Sequence, residues 1–214
     1  MPDTRTLVAD SAIDRIFGPM IQAQTWLNVL YLLFSFPLGI IYFVAIVTVF
    51  SLAVGLTPVF AGLFVLWFGF MMTDAFGELE RVVLNVMLGA GIPPRPPAPE
   101  VTGSVFRKIG AAASRPGSFK RLLYLWVRFP MGILSFILVC VFIPLSIGLL
   151  TAPLTYTFLP IQVGWSRIET FDEAIYVCCF GAVLALASVH VLNSWTSVCR
   201  RFGRAMLSDR KSVV

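Results

Sequence analysis

Charged residues are scarce in this chain, and their scarcity excludes most soluble proteins. Only 13% of the 214 residues are charged, whereas 58% are hydrophobic. A soluble domain is about 25% charged and about 45–50% apolar. No charged side chain occurs between Arg15 and Asp74. A soluble domain cannot bury a stretch of that length, whereas a pair of membrane-spanning helices needs one, because about 20 apolar residues cross the bilayer core.

Histidine and cysteine are too few for most catalytic or metal sites. The chain has one histidine and four cysteines, and no cysteine spacing resembles a zinc site or a disulfide framework. We find no glycine-rich phosphate loop, no paired catalytic carboxylates and no Ser/His/Asp set, so we do not expect an enzyme. Cys199 lies beside Arg200 and Arg201 and is a candidate for acylation.

Basic residues give the chain a net charge of +5, and most of them lie in its start, its central loop and its C-terminal tail. The positive-inside rule places these segments in the cytoplasm, where they would also attract anionic lipid. Nucleic-acid binding is not expected, because no recognition motif accompanies the charge. Acidic residues at Asp3, Asp10 and Asp14 argue against a signal peptide.

Four apolar segments predict four membrane-spanning helices. We place the spans at about 37–54, 58–76, 130–150 and 171–195. Thr57 is the expected N-cap of the second span, with Pro58 at its first helical position. Residues 170–173, Thr-Phe-Asp-Glu, form a capping-box pattern that opens the fourth span.

Short amphipathic segments flank the spans and are expected to lie along the membrane surface. In residues 78–88, apolar positions recur at helical spacing, while Glu80, Arg81 and Asn85 fall on the other side. Gly89 can end this helix.

Composition divides the chain into five segments. We predict a cytoplasmic N-terminal segment at 1–24, a first membrane hairpin at 25–91, a proline-rich basic cytoplasmic linker at 92–117, a second hairpin at 118–208 and a tail at 209–214.

An internal repeat is the strongest motif in the sequence. Residues 25–44 align without gaps to residues 118–137 at an offset of 93, with Tyr31 matching Tyr124. Both copies contain a Phe-Pro-x-Gly break, formed by Phe36, Pro37 and Gly39 in the first copy and by Phe129, Pro130 and Gly132 in the second.

Each proline in this break either kinks a continuous helix or begins a new one. A weaker match pairs Met87-Leu88 with Met206-Leu207 at an offset of 119. Both copies are expected to begin on the same side of the membrane, so we predict a parallel repeat. Inverted repeats are the usual device of alternating-access transporters, and a parallel repeat argues against that class.

These motifs resemble a known family. The doubled Tyr-Leu-x-x-x-Phe-Pro-x-Gly element, the Leu-Thr-(Ala)-Pro turn and the Ile-Pro-Pro linker are similar to the "putative sensor" domain. That four-helix membrane module precedes histidine kinase domains in many actinobacterial and some archaeal proteins. The resemblance covers about residues 22–208 and implies a module that senses a signal at or in the membrane. The sequence contains no histidine-phosphotransfer helix and no ATP-binding domain, so any kinase output is expected from another chain.

His190 is a candidate cofactor ligand, because an ionisable group inside a predicted span is a functional hypothesis by default. It could ligate a haem or a chlorin, or carry a proton. The alternative is a neutral imidazole that hydrogen-bonds a neighbouring helix near Asn193 or Ser194.

Two further sets of residues are candidate sites within the predicted spans. Asp74 and Arg128 are expected to pair across the bundle near the inner interface, and the alternative is that each snorkels separately to the interface. Gly181 and Ala185 form a small-residue stripe suited to helix packing within the bundle or in a homodimer.

Tyr156 and Trp165 in the external loop could contact a ligand or a partner. Aromatic residues at the outer interface also serve as membrane anchors, which is the alternative for both.

The sequence therefore predicts an all-α integral membrane protein with four transmembrane helices, arranged as two parallel-repeat hairpins with interfacial amphipathic helices. The leading function is a non-enzymatic sensor-like module that acts through a partner protein in the inner membrane of a prokaryote, with both termini in the cytoplasm. The alternative is an accessory subunit of a larger membrane complex, such as a respiratory or photosynthetic assembly. Expected partners are anionic lipids, other membrane proteins, a separate kinase or a second copy of the chain. No cofactor is expected beyond the haem or chlorin option.

Overall fold

The residues that the computed structural model describes fold almost entirely into helices. The structure describes residues 22–94, 103–115, 117–155, 162–163, 166–167 and 170–208. The helices in these ranges are α1 (Ala23–Gly55), α2 (Ala61–Leu88), α3 (Val105–Ser114), α4 (Ser118–Leu150), α5 (Ala152–Thr155) and α6 (Phe171–Leu207). A 3₁₀ turn covers Thr57–Val59, and the two-residue strands β1 (Gln162–Val163) and β2 (Ser166–Arg167) pair antiparallel.

Four of these helices are long and apolar enough to cross a membrane. They are α1, α2, α4 and α6, with lengths of 33, 28, 33 and 37 residues. Large apolar side chains on their outer faces are exposed, among them Val44, Phe68, Leu134 and Val183. Since exposed apolar surface costs about 25 cal/mol per Å² in water, these faces need lipid around them. The prediction of an all-α membrane protein with four spans is confirmed.

Both Phe-Pro breaks lie inside continuous helices. Pro37 is in α1 and Pro130 is in α4, so neither proline starts a new helix. A proline has no N–H, and each therefore leaves one helical carbonyl four residues earlier without its usual partner.

Glu80, on the polar side of residues 78–88, faces inward, opposite to the sequence prediction. These residues continue α2, so the separate surface helix predicted there is wrong. Leu79, Val82 and Val86 are exposed, whereas Glu80 is fully buried. An apolar face can point outward in a bilayer, because lipid replaces water as the solvent for that face.

Both ends of α2 are set by local backbone geometry. Phe60 adopts a left-handed conformation (φ 59°) directly before Ala61, and the hydroxyl of Thr57 donates back to the Ala53 carbonyl at 2.9 Å. Thr57 is therefore not the N-cap of the second span. At the other end, Gly89 has φ 58° and its N–H donates to the Asn85 carbonyl. Glycine tolerates this conformation without steric cost, as expected for a helix terminator.

Side-chain bonds fix two more boundaries. The Asn85 amide accepts from the Ile92 N–H at 2.8 Å and donates to the Ile92 carbonyl at 2.9 Å, which anchors the start of the linker. The capping box that opens α6 is present, since the Glu173 N–H donates to the Thr170 hydroxyl (3.4 Å) and the Thr170 N–H to the Glu173 carboxylate (3.3 Å).

The described residues form two compact units. The first contains the residues up to Val29 together with Ile137–Trp195, and the second contains Leu30–Phe136 together with the residues from Thr196 onward.

Polar pairs and close packing hold the first unit together. The Asn28 amide donates to the Asn193 amide oxygen at 2.9 Å, and the hydroxyls of Ser146 and Ser188 lie 3.1 Å apart. A Cβ atom on Gly181 would lie 2.8 Å from the Leu149 side chain, so this glycine allows α6 to approach α4 closely.

In the second unit, the two copies of the break pack against each other. A Cβ on Gly39 would lie 3.2 Å from the Arg128 carbonyl oxygen, and a Cβ on Gly132 would lie 2.7 Å from the Ser35 carbonyl oxygen. Ser35 of α1 thus lies opposite Gly132 of α4, and Gly39, which is later in α1, lies opposite Arg128, which is earlier in α4. The two helices run antiparallel where they cross.

Aromatic contacts at this crossing are also reciprocal. The rings of Phe36 and Phe136 stack at 4.8 Å, and those of Phe43 and Phe129 stack at 4.6 Å. The 93-residue offset exchanges one pair for the other, as expected for equivalent surfaces that meet around a two-fold axis. This antiparallel crossing differs from the parallel arrangement predicted for the two copies, and Gly39 and Gly132 permit the close approach of the two backbones.

Candidate functional site

A charged pair is completely buried in the second unit. Arg128 on α4 and Glu80 on α2 form an ion pair with 2.7 Å between Nε and Oε1, and their side chains are 1% and 0% exposed. A charge in a low-dielectric interior is tolerated only when it is paired and hydrogen-bonded. Ionisable residues inside membrane-spanning helices are rare and generally functional, so this pair is the centre of the candidate site.

Tyr124 supports the carboxylate of the pair. Its hydroxyl donates to Glu80 Oε1 at 2.9 Å, and its own side chain is buried. Tyr124 and Arg128 are four residues apart on α4, so both side chains point from the same face toward the same carboxylate oxygen. The Tyr42 hydroxyl of α1 also lies close to Glu80, and its ring packs 5.0 Å from that of Phe76.

Two residues of α1 hold the guanidinium. Arg128 Nη1 donates to the Ser35 hydroxyl at 2.5 Å, and the Arg128 Cζ lies 5.0 Å from the centre of the Tyr31 ring. A cation above an aromatic face in a desolvated site gains about 2 kcal/mol. Tyr31 and Ser35 are again four residues apart, so one face of α1 meets one face of α4.

The cluster does not satisfy all of its buried polar atoms. Glu80 Oε2, Arg128 Nη2 and the hydroxyls of Tyr31 and Tyr42 have no hydrogen-bond partner among the described residues. A buried polar group without a partner costs about 1–3 kcal/mol, and more when it is charged. The present arrangement therefore carries a penalty that a rearranged site could reduce by supplying the missing partners.

Asp74 has a different partner from the one predicted. Arg115 Nη1 donates to Asp74 Oδ2 at 3.0 Å, and the predicted Asp74–Arg128 pair is wrong because Arg128 is bound to Glu80. Asp74 precedes Glu80 by six residues, which places the two carboxylates on different faces of α2.

A second group of ion pairs connects α2 to the basic linker and to the start of α4. Arg121 donates from both Nη1 and Nη2 to Glu78 Oε1 at 3.1 Å, and Arg81 Nε lies 2.6 Å from Glu78 Oε2. The Lys108 ammonium of α3 lies 5.4 Å from the centre of the Trp67 ring. The Lys108 contact and the Arg115–Asp74 pair fix the linker along α2, and the Arg121–Glu78 pair fixes the start of α4.

A pattern of small residues could have identified Glu80 from the sequence. The buried side of α2 carries small residues at helical spacing, and Glu80 continues their row: Gly62, Gly69, Thr73 and Gly77. Small residues mark the face of a membrane helix that meets its neighbours. A carboxylate on that face has to be buried, and the apolar spacing of residues 78–88 conceals this.

The other predicted residues lie outside this cluster. His190 is exposed on α6 next to the exposed Val191, so a macrocycle bound there would sit on an outer face, and the haem or chlorin option stays a prediction. Ala185 lines a cavity of about 210 Å³ in the first unit. Tyr156 and Trp165 lie outside the described residues.

Cys199 is part of the second unit and not a surface thiol. Cys199 is 2% exposed and lies within electrostatic range of Arg128, so the prediction of acylation at this position is wrong. Metal-binding groups of three or more His, Cys, Asp or Glu residues are absent from the part of the chain that the structure describes.

Comparison with known proteins identifies the family. A family model described as "Putative sensor" matches residues 31–207, most of the chain. The chain belongs to this sensor family. The match begins at Tyr31, whose ring contacts Arg128, and ends at the last residue of α6, so it includes every residue of the buried cluster. No significant match was found among curated proteins or among solved structures.

Proposed function

We propose that this member of the sensor family is a non-enzymatic module of a prokaryotic inner membrane that passes its signal to a separate partner protein, such as a kinase. We further propose that the Glu80–Arg128 pair is the element that changes between two states. The observation that carries this proposal is a fully buried ion pair whose partners are incomplete.

A change at this pair has a direct route to the basic linker. Glu80 lies on the same helix as Asp74 and Glu78, which bind Arg115 and Arg121 at the end of the linker and the start of α4. A shift of α2 relative to α4 that breaks the Glu80–Arg128 contact would also strain these surface pairs. The linker would then move or detach, and a partner that binds it would respond.

The proposal implies that the site is closed in one state and accessible in the other. A signal can shift such an equilibrium only if it interacts differently with the two states. In the closed state the four polar atoms without hydrogen-bond partners are shielded from water, whereas in an open state water could hydrogen-bond to them. An increase in hydration near Cys199 therefore reports the opening.

The first test measures the reactivity of Cys199 in the native bilayer. A variant keeps this thiol alone, with Cys140, Cys178 and Cys179 changed to serine, and is treated with a membrane-permeant maleimide. We expect slow labelling in the closed state and faster labelling when Arg128→Met is added. Labelling at the same rate in both proteins, normalised to full reactivity in SDS, would contradict the two-state site.

The second test measures output in cells. A deletion strain is complemented with the wild type or with the Glu80→Leu/Arg128→Met double variant, which removes the pair but leaves no unpaired charge. We expect equal amounts of both proteins and a changed transcriptional and phosphoprotein response only in the variant. A response identical to the wild type would show that the pair is not the switching element. A deletion without any effect on these responses would refute the sensor function.

A further inference from the structure

A second feature of the same unit is an apolar groove between α1 and α4. It has a volume of about 640 Å³ and begins one turn beyond Tyr42. Ile46 and Phe50 line it from α1, and Phe119, Leu123 and Trp126 line it from α4. The groove is separate from the buried ion pair, because none of the charged or tyrosine side chains of the cluster lines it.

The groove opens toward the surroundings of the protein. Phe119 is 66% exposed, Leu123 54% and Trp126 49%, although all three belong to a membrane-spanning helix. Within a bilayer, such a concave apolar surface is filled by hydrocarbon, whose contacts with the walls add up over many atoms. A lipid acyl chain has the required shape and chemistry.

The position of the groove on its helices suggests where a headgroup would lie. Its residues on α4 begin one position after Ser118, the first residue of the helix, and those on α1 end four residues before Gly55, the last residue of that helix. Trp126 is of the type that marks the membrane interface. The groove thus extends from the ends of two helices into the apolar region.

Lys120 follows the groove residue Phe119 in the first turn of α4. It is exposed and makes no ion pair with any residue that the structure describes. The residues that line the groove carry no charge of either sign. One lysine near an anionic bilayer surface contributes about 1 kcal/mol of attraction.

We propose that this groove is a binding site for an anionic phospholipid of the bilayer, with one acyl chain between α1 and α4 and the headgroup phosphate on Lys120. The apolar walls select hydrocarbon, and the unpaired ammonium selects a negatively charged headgroup over a zwitterionic one. This site does not depend on the switching role of Glu80 and Arg128, and either proposal can fail without the other.

The test uses quenching of Trp126 by brominated lipids. The full chain carries Trp126 as its only tryptophan, with Trp26, Trp67, Trp165 and Trp195 changed to phenylalanine. It is reconstituted in phosphatidylcholine vesicles that contain either brominated phosphatidylglycerol or brominated phosphatidylcholine as a minor component. We expect the anionic lipid to be preferred at the groove by about 5-fold, the ratio that corresponds to about 1 kcal/mol.

Two variants decide the role of Lys120. Lys120→Gln should reduce the preference to about 1-fold, whereas Arg201→Gln, which removes an exposed charge from α6, should leave it unchanged. Equal quenching by both lipids, or the same loss in both variants, would overturn the headgroup site. Absence of quenching by either lipid would show that the groove is covered by something else, such as a second copy, and would overturn the proposal as a whole.

A second measurement keeps the tryptophans in place. Native mass spectrometry of the otherwise unaltered chain from mixed micelles should show one retained phosphatidylglycerol that is lost in Lys120→Gln and kept in Arg201→Gln. Retention of both lipids in equal amounts would overturn the proposal.

Discussion

Removing one partner of the Glu80–Arg128 pair should destabilise the protein far more than removing both. Each single variant, Glu80→Leu or Arg128→Met, leaves an uncompensated charge in a site that is at most 1% exposed. Breaking a buried pair in this way costs about 3–5 kcal/mol. The size agrees with a Coulomb energy of about 4 kcal/mol for two unit charges at 4 Å and an effective dielectric constant of 20.

The double variant is expected to restore most of this loss. Replacing a buried pair by apolar side chains of similar volume is often neutral, or stabilising by about 1–4 kcal/mol, because the desolvation penalty of both charges disappears. In a double-mutant cycle, the coupling free energy is the stability lost in the double variant minus the sum of the stabilities lost in the two single variants. It should therefore be at least about 3 kcal/mol in magnitude.

The assay is reversible unfolding in mixed micelles with increasing SDS, followed by circular dichroism. Arg81→Met is the control, since it breaks the Arg81–Glu78 pair, whose side chains are 18% and 36% exposed and therefore far more accessible than those of the buried pair. That change should cost less than about 1 kcal/mol. If the double variant loses as much unfolding free energy as the two single variants together, the two charges do not compensate each other and the reasoning is refuted. Single variants that behave like Arg81→Met would refute the burial of the pair.

Three further changes test other parts of the second unit, the first two in the same unfolding assay and the third by proteolysis. Gly132→Ala should lower the free energy of unfolding by about 1–3 kcal/mol, because its Cβ would lie 2.7 Å from a backbone oxygen of α1. The control is Gly148→Ala, whose Cβ meets nothing within 4 Å and which should be neutral or stabilising by up to about 1 kcal/mol. Equal losses of stability in both variants would contradict the tight crossing. Tyr124→Phe should lower the free energy of unfolding by about 1.5–3 kcal/mol, because a hydrogen bond to a charged group is lost. A decrease below about 0.5 kcal/mol, the size of an ordinary surface change, would contradict that bond. Asn85→Ala removes both side-chain bonds to the Ile92 backbone and should speed proteolysis within the linker, whereas an unchanged cleavage rate would show that these bonds do not hold it.

The repeat explains why the ion pair exists only once. The 93-residue offset places Ser35 at the position of Arg128, and these two residues contact each other at the crossing. Extending the 119-residue offset from Met87 and Met206 places Cys199 at the position of Glu80, and Cys199 also lies close to Arg128. Each copy therefore supplies one member of the pair, the carboxylate from the first and the guanidinium from the second.

Local features of the sequence determined the four spans and some of their limits, although the first and third helices begin earlier than predicted and the second and fourth end later. The length of the apolar segments, the capping box at Thr170 and the glycine at the end of α2 were all readable, because each depends on a few neighbouring residues and on the thickness of the bilayer. The sequence also revealed the Phe-Pro-x-Gly element as a repeated unit, although it left open whether the prolines begin new helices.

Only the tertiary structure decided which charges meet. The sequence prediction placed Asp74 and Glu80 in separate helices and chose Asp74 as the partner of Arg128, whereas the structure has both carboxylates on α2 and pairs Arg128 with Glu80. The choice depends on which face of α2 turns toward α4, and small residues set that face, since they allow the helices to approach closely. Amphipathic spacing gives the wrong orientation for α2, because lipid can cover an apolar face of a membrane helix, whereas a buried carboxylate requires a cation inside the protein.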